Sequence, residues 1–241
     1  MLRKLIKYDL KIFQKIMIPL WGVMIFLGLI RGIQDQLDHA SFIKEIVLIF
    51  CFIFIVNLII IIQRFYKSMY GQEGYLTHTL PITANKLILS KVISATIISF
   101  TTAFLFYLEN GILMYLQSKL YHGTYSINDI MIRQVQDFAN TKVLQAIIFM
   151  IIYGIFWLIR LIYQVYTAIA IGQLSKENKL PTMIITGAVI FLGFYEIELY
   201  LLRYATKNYF YKWPCFIMFL IEIIVCHIIT TYLTRKKLEL I

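Results

Sequence analysis

Acidic residues are scarce in this chain: 13 Asp and Glu stand against 23 Lys and Arg in 241 residues. Charge of either sign is thin, at 15% of residues, where a soluble globular chain carries about a quarter. With 60% hydrophobic residues and a mean hydropathy of +0.76, the composition is that of an integral membrane protein. Cysteine is almost missing. Cys51, Cys215 and Cys226 lie in or beside apolar runs and give neither a disulfide framework nor a metal spacing, so they read as small buried hydrophobes. The chain also lacks a G-x-x-x-x-G-K-[ST] phosphate loop, an H-E-x-x-H zinc helix and a G-x-S-x-G nucleophile turn. Its histidines, His39, His78, His122 and His227, are scattered over different segments. No enzyme activity, resident cofactor or metal is therefore expected in this chain. No zinc-finger, RNP or helix-turn-helix pattern points to nucleic acid either.

What the chain has is long apolar runs. Six fall at approximately 16–30, 46–62, 92–116, 143–171, 183–202 and 214–233. A span takes about 20 residues, which leaves little for a separate soluble domain. Residues 1–241 are expected to form one all-α, polytopic membrane domain. Basic residues precede the first run as they precede a signal peptide, but no small-x-small cleavage site follows it.

Charge sets the expected orientation. With the N-terminus inside, the inner segments hold Arg3, Lys4, Lys7, Lys11, Lys15, Arg64, Lys67, Lys86, Lys91, Lys176, Lys179, Arg235, Lys236 and Lys237. The outer segments hold Arg31, Lys44, Lys119, Arg133, Lys142, Arg203, Lys207 and Lys212. The excess on the first side predicts both termini in the cytoplasm. The net charge of +10 then sits mostly at the inner surface, where anionic lipid headgroups are its natural partners.

The first 15 residues, MLRKLIKYDLKIFQK, read as an amphipathic helix at the inner interface. Leu2, Leu5, Ile6, Leu10, Ile12, Phe13 and Ile16 share one face, opposite Arg3, Lys4, Lys7, Lys11, Gln14 and Lys15. Asp9 projects from the middle of the apolar face, where it either finds a partner on another element or snorkels to the headgroups. A second amphipathic helix is expected at 126–140, with Ile127, Ile130, Met131, Val135 and Phe138 on one face and Ser126 as its cap. Ala168-x-x-x-Gly172 has the small-residue spacing that permits close helix approach.

Ionisable groups within the runs are the remaining candidates for a substrate pathway. They are Glu109, Arg160, Glu196, Glu198 and Glu222. Counted at about 1.5 Å per residue, Glu109, Glu196 and Glu222 fall ~9–12 Å below the outer ends of their runs, and Arg160 falls deeper. An acidic outer vestibule for a cationic amphiphile is one reading. Structural pairing, with Arg203, tyrosines or backbone groups satisfying each carboxylate, is the other. His227 reads as a hydrogen-bonded packing residue rather than a proton relay.

Residues 66–91, YKSMYGQEGYLTHTLPITANKLILSK, form the longest polar interruption in the first half of the chain. Tyr66, Met69, Tyr70, Leu76 and Leu80 keep approximate helical spacing around a break at Gly71 and Gly74. Pro81 ends that helix, and Thr83 is placed to cap the next. The run GQEGYLTHTLPITANKLILSKVISA resembles the EGYL…TLP(I/V)(S/T)…L(L/I)LSK segment of ABC-2-type permeases, the membrane subunits of bacterial ABC exporters. The basic N-terminal helix, six spans and short basic tail agree with the resemblance more loosely. Small permeases of this kind often export antimicrobial or cytolytic peptides or confer immunity to them. The resemblance implies a coupling helix and hinge over 66–83, with contacts to a separate ATPase made by Tyr70, Gly71, Gln72, Glu73, Gly74, Tyr75, Leu80 and Pro81. It also implies two copies of that ATPase, which would hold ATP and Mg, a second permease copy or paralogue, and a location in the bacterial plasma membrane. RYATKNYFYKW, between the last two runs, departs from relatives that place re-entrant helices there.

Two other classes of function stay open at this stage. One is a peptide-sensing or immunity protein that performs no transport. The other is an ATP-independent secondary carrier, which would more often show internal repeats and broken spans at matched positions.

Overall fold

The computed structural model describes residues 2–34, 39–71, 74, 82–120, 141–175, 178–204 and 213–238. The fold is all-α, with helices α1 (Leu2–Gln34), α2 (His39–Met69), α3 (Ala84–Leu120), α4 (Thr141–Gly172), α5 (Lys179–Tyr204) and α6 (Trp213–Leu238). Among the described residues, all six contain a stretch long and apolar enough to cross a membrane. At 26 to 37 residues the helices are ~39–55 Å long, against a hydrocarbon core of about 30 Å.

α1 runs without a break through Pro19, which has no N–H to offer the Lys15 carbonyl. The segment expected to lie at the interface therefore continues directly into the first span as one helix. Asp9, Phe13, Met17 and Met24 recur on its buried stripe. Asp9 is 1% exposed, so it is not turned out toward headgroups. The expected amphipathic helix at 126–140 lies outside the described residues, as do Gln72, Glu73, Tyr75, Leu80 and Pro81 of the connector. Thr83 stands immediately before α3, and its carbonyl accepts the Leu87 N–H at 3.2 Å, as an N-cap residue's does.

Two compact units divide the chain. One comprises Met1–Lys7, Ile61–Thr96 and Tyr153–Ile241, the other Tyr8–Ile60 and Ile97–Ile152. The core of the first is built from Ile61, Phe65, Leu87, Ile88, Ile162, Tyr166 and Phe219, and that of the second from Phe13, Met17, Met24, Ile53 and Ile98.

Both units bury polar groups and expose apolar ones. On α5, Leu180, Ile184, Ile185, Val189 and Leu192 are all exposed, a pattern suited to a hydrocarbon solvent. Several hydroxyls inside the helices are satisfied locally, Ser68 Oγ of α2 being a buried exception. Thr102 donates to the Ile98 carbonyl (2.9 Å), Thr167 to Tyr163 (2.7 Å) and Thr230 to Cys226 (2.7 Å). Such bonds let Ser and Thr sit at membrane depth without an orphaned donor. Cys226 is buried, as a small hydrophobe would be, whereas Cys51, expected to be buried as well, is exposed on α2.

The Ala168-x-x-x-Gly172 spacing does bring helices together. A Cβ at Gly172 would meet the side chain of Met183 on α5 and its backbone N at 3.0 Å. A Cβ at Gly187 would lie 3.4 Å from that of Ala168.

Candidate functional site

In the first unit, Arg160 on α4 is shared by two carboxylates. Its Nη1 donates to Glu198 Oε2 of α5 at 2.7 Å, and its Nε lies 3.3 Å from Glu222 Oε2 of α6. The second contact is Coulombic and not an aligned hydrogen bond. Each acid has one further donor: Tyr153 Oη donates to Glu198 Oε1 at 2.9 Å, and Gln164 Nε2 to Glu222 Oε1. The guanidinium carbon stands 4.7 Å from the centroid of the Phe219 ring. Arg160 is 2% exposed and Glu222 1%. In a low dielectric these attractions are strong, and they join three helices at one level.

One turn further along α4, Tyr163 reaches His227 of α6. Its hydroxyl lies 3.0 Å from Nδ1, while Nε2 meets Asn85 Oδ1 at the start of α3. Because an amide oxygen only accepts, Nε2 carries the proton and Nδ1 accepts from the phenol. His227 is a hydrogen-bonded bridge between helices, as its position in an apolar run suggested.

The described ends of the polar connector are tied to the same helices. Phe65, one turn before α2 ends, stacks on Tyr166 of α4 with centroids 3.7 Å apart and planes at 10°. The Tyr166 hydroxyl donates to the Lys91 carbonyl of α3 at 3.4 Å. Just past α2, burial pushes the Tyr70 phenol above its ordinary value, and the Thr234 hydroxyl of α6 works the other way. Gly71 N–H bonds back to the Tyr66 carbonyl at 3.1 Å, and Gly74 N–H to that of Gly71 at 2.9 Å. The connector thus leaves and re-enters the helices through residues packed on α4 and α6.

The second unit holds a carboxylate of a different kind. Glu109 of α3 reaches across to α1 at Gly28, where an added Cβ would collide with the carboxylate. It is 9% exposed, and its Oε2 is buried without a hydrogen bond. Asn57 of α2 is fully buried. Its Nδ2 donates to Ser99 Oγ at 3.1 Å, while its Oδ1 receives no donor. Trp21 Nε1 donates to Thr102 Oγ1 at 3.1 Å.

The five candidate pathway residues therefore separate. Arg160, Glu198 and Glu222 come together, Glu196 is exposed, and Glu109 belongs to the other unit. Counting depth from the end of a run placed Arg160 away from the acids. α4 is longer than a membrane is thick, so its end does not mark the boundary. Tyr153, Gln164, Tyr163 and Asn85 escaped sequence reasoning because nothing in their spacing marks them. Asn57 carried a signal, as the lone amide in the apolar run 46–62.

No family model, curated protein or solved structure matches the chain. Its own geometry identifies it as a polytopic membrane protein with six helices able to span the bilayer. Within that frame the buried charges and the anchored connector are the features left for function to explain.

Proposed function

We propose that this chain is the permease subunit of an ATP-driven exporter of the ABC type, in the bacterial plasma membrane with both termini cytoplasmic. It would work with a second permease copy or paralogue and two copies of an ATPase subunit that carries ATP and Mg. Its cargo would be a cationic or amphipathic peptide or lipid-like molecule.

The observation that carries this reading is the connector between α2 and α3. Its sequence has the EGYL…TLPIT…LILSK form, and both of its described ends are anchored on α4 and α6. Phe65 stacks on Tyr166, and Asn85 bonds His227. A partner that moved the connector would act on α4 and α6 through these contacts. A connector that only joined two spans would need neither the length nor the anchors.

The test is co-purification from the native membrane. An ATPase subunit should co-elute with the wild-type chain, and Glu73→Lys should abolish transport while insertion and expression persist. Glu73 is the only acid between Lys67 and Lys86, and reversing its charge should oppose docking on a complementary surface. An absent ATPase would favour a sensor or a secondary carrier. Full transport by Glu73→Lys would remove that residue from the coupling surface.

A further inference from the structure

The two units treat their buried acids differently. In the first, Glu198 and Glu222 both lie beside Arg160, and Tyr153 and Gln164 each donate to one of them, so that Glu222 Oε2, though without an aligned hydrogen bond, still faces a cation. In the second, the buried polar residues among those described are Asp9, Asn57, Ser99, Thr102 and Glu109, with no cation among them. The buried cations Arg64, Lys91 and Arg160 all belong to the first unit. Glu109 Oε2 and Asn57 Oδ1 are buried acceptors without donors. Ordinary folding leaves few such groups, because an unmet buried acceptor retains its full desolvation penalty. Glu222 has Arg160 beside it, whereas Glu109, in a unit with no buried cation among the described residues, has neither a cation nor a donor for Oε2, and that oxygen calls for a donor from outside the chain.

The geometry narrows what that donor is. Glu109 Oε1 occupies the place that a side chain at Gly28 would fill, so one carboxylate oxygen is packed against the α1 backbone and Oε2 alone is left. A planar guanidinium prefers both oxygens of a carboxylate, whereas an ammonium is a compact charge that needs only one. A hard divalent cation wants about six oxygens, and no group of three metal-binding side chains occurs among the described residues. One turn before Glu109, Phe106 packs on Phe50 with centroids 4.5 Å apart, and Phe50 on Phe54 at 6.0 Å. These rings provide an apolar and aromatic bed suited to the alkyl part of an amine.

We propose that Glu109, seated against Gly28, is the binding site for the primary ammonium group of an amphiphile. The proposal deepens the exporter reading by naming the chemistry of the cargo, and it rests on that reading for its biological use. The ammonium could be a lysine side chain of an amphipathic peptide or an aminolipid headgroup, and the two sources can be told apart.

The test uses the full chain in phosphatidylcholine nanodiscs, whose headgroups offer no N–H donor. Decylammonium is titrated while tryptophan emission is followed, because Trp21 bonds Thr102 between the helices that carry Gly28 and Glu109. Decyltrimethylammonium and decyl sulfate serve as comparisons. Saturable binding of decylammonium is expected, weakened about tenfold or more by Glu109→Gln, the loss of one charge-assisted hydrogen bond. Gly28→Ala should weaken it similarly with no change in charge, since the methyl group displaces the carboxylate. Glu196→Gln, which removes an exposed acid, should bind as wild type does.

If Glu109→Gln does not fold, Gly28→Ala decides alone. Unchanged binding in whichever of the two variants folds would overturn the site. So would equal binding of decyl sulfate or of the trimethyl compound, since neither can donate an N–H bond. Exchanging part of the phosphatidylcholine for phosphatidylethanolamine should raise the apparent Kd if the source is lipid and leave it unchanged if the source is cargo. Either result keeps the ammonium site. No ATPase or nucleotide enters this assay, so its failure leaves the coupling proposal standing. A chain that binds the amine but brings down no ATPase loses only the exporter reading.

Discussion

Arg160 lies between two carboxylates, and that sharing makes its replacement asymmetric. Removing the guanidinium alone leaves Glu198 and Glu222 buried beside each other without a counter-charge. Arg160→Met is expected to destabilise the protein by ~3–5 kcal/mol, read as a fall in the thermal unfolding midpoint in detergent. Arg160→Lys should recover little, because one ammonium cannot address both acids as the fork does. Replacing all three (Arg160→Met, Glu198→Gln, Glu222→Gln) should return much of the loss, since no buried charge then remains. If Arg160→Met melts with the wild type, the triad is not what holds α4, α5 and α6 at this level. The residues themselves were visible in the sequence as charges in apolar runs. Their partnership was not, because Glu198 and Glu222 lie 38 and 62 positions from Arg160 along the chain.

At the scale of helices, two contacts invite separate perturbation. α4 and α5 approach closely where Gly172 faces Met183 and Ala168 faces Gly187. Gly172→Leu should therefore force the pair apart at a cost of about 1–3 kcal/mol, detectable as lowered thermal stability. Gly154→Leu, on the same helix but with open space around it, is the matched control and should change little. The second contact is the Phe65–Tyr166 stack, worth about 0.5–1.5 kcal/mol beyond simple burial. If the connector transmits work from an ATPase, Phe65→Ala should reduce substrate-stimulated ATP hydrolysis more than it reduces co-elution of the ATPase. A proportional loss of both would mean the stack serves assembly and not transmission. The small-residue spacing in α4 announced the first contact. The second depends on α2 and α4 passing side by side, which neither helix's own pattern contains.

For the molecule as a whole, orientation is the property most open to test. Six spans return the chain to the side where it began, and the distribution of Lys and Arg predicts that side to be the cytoplasm. Reporter fusions at either terminus should both score as cytoplasmic in intact cells, and a fusion at Lys119 should score as outside. Opposite scores for the two termini would require one of the six helices not to cross.

By itself the sequence determined the class, the number of spans and the segments between them, because these follow from hydropathy and length summed over about 20 residues. It also marked Glu109, Arg160, Glu198 and Glu222, since an ionisable group in an apolar run stands out, but it assigned Arg64 and Lys91 to the inner surface, and the structure buries both. Only the tertiary structure decided what those charges do. Arg160 neutralises two of the acids, Glu196 faces outward, and Glu109 is left against Gly28 in a unit with no buried cation among the described residues. The reason is geometric. Helices longer than the bilayer is thick can slide and tilt past one another, so depth counted from a helix end does not give level, and level sets which side chains meet.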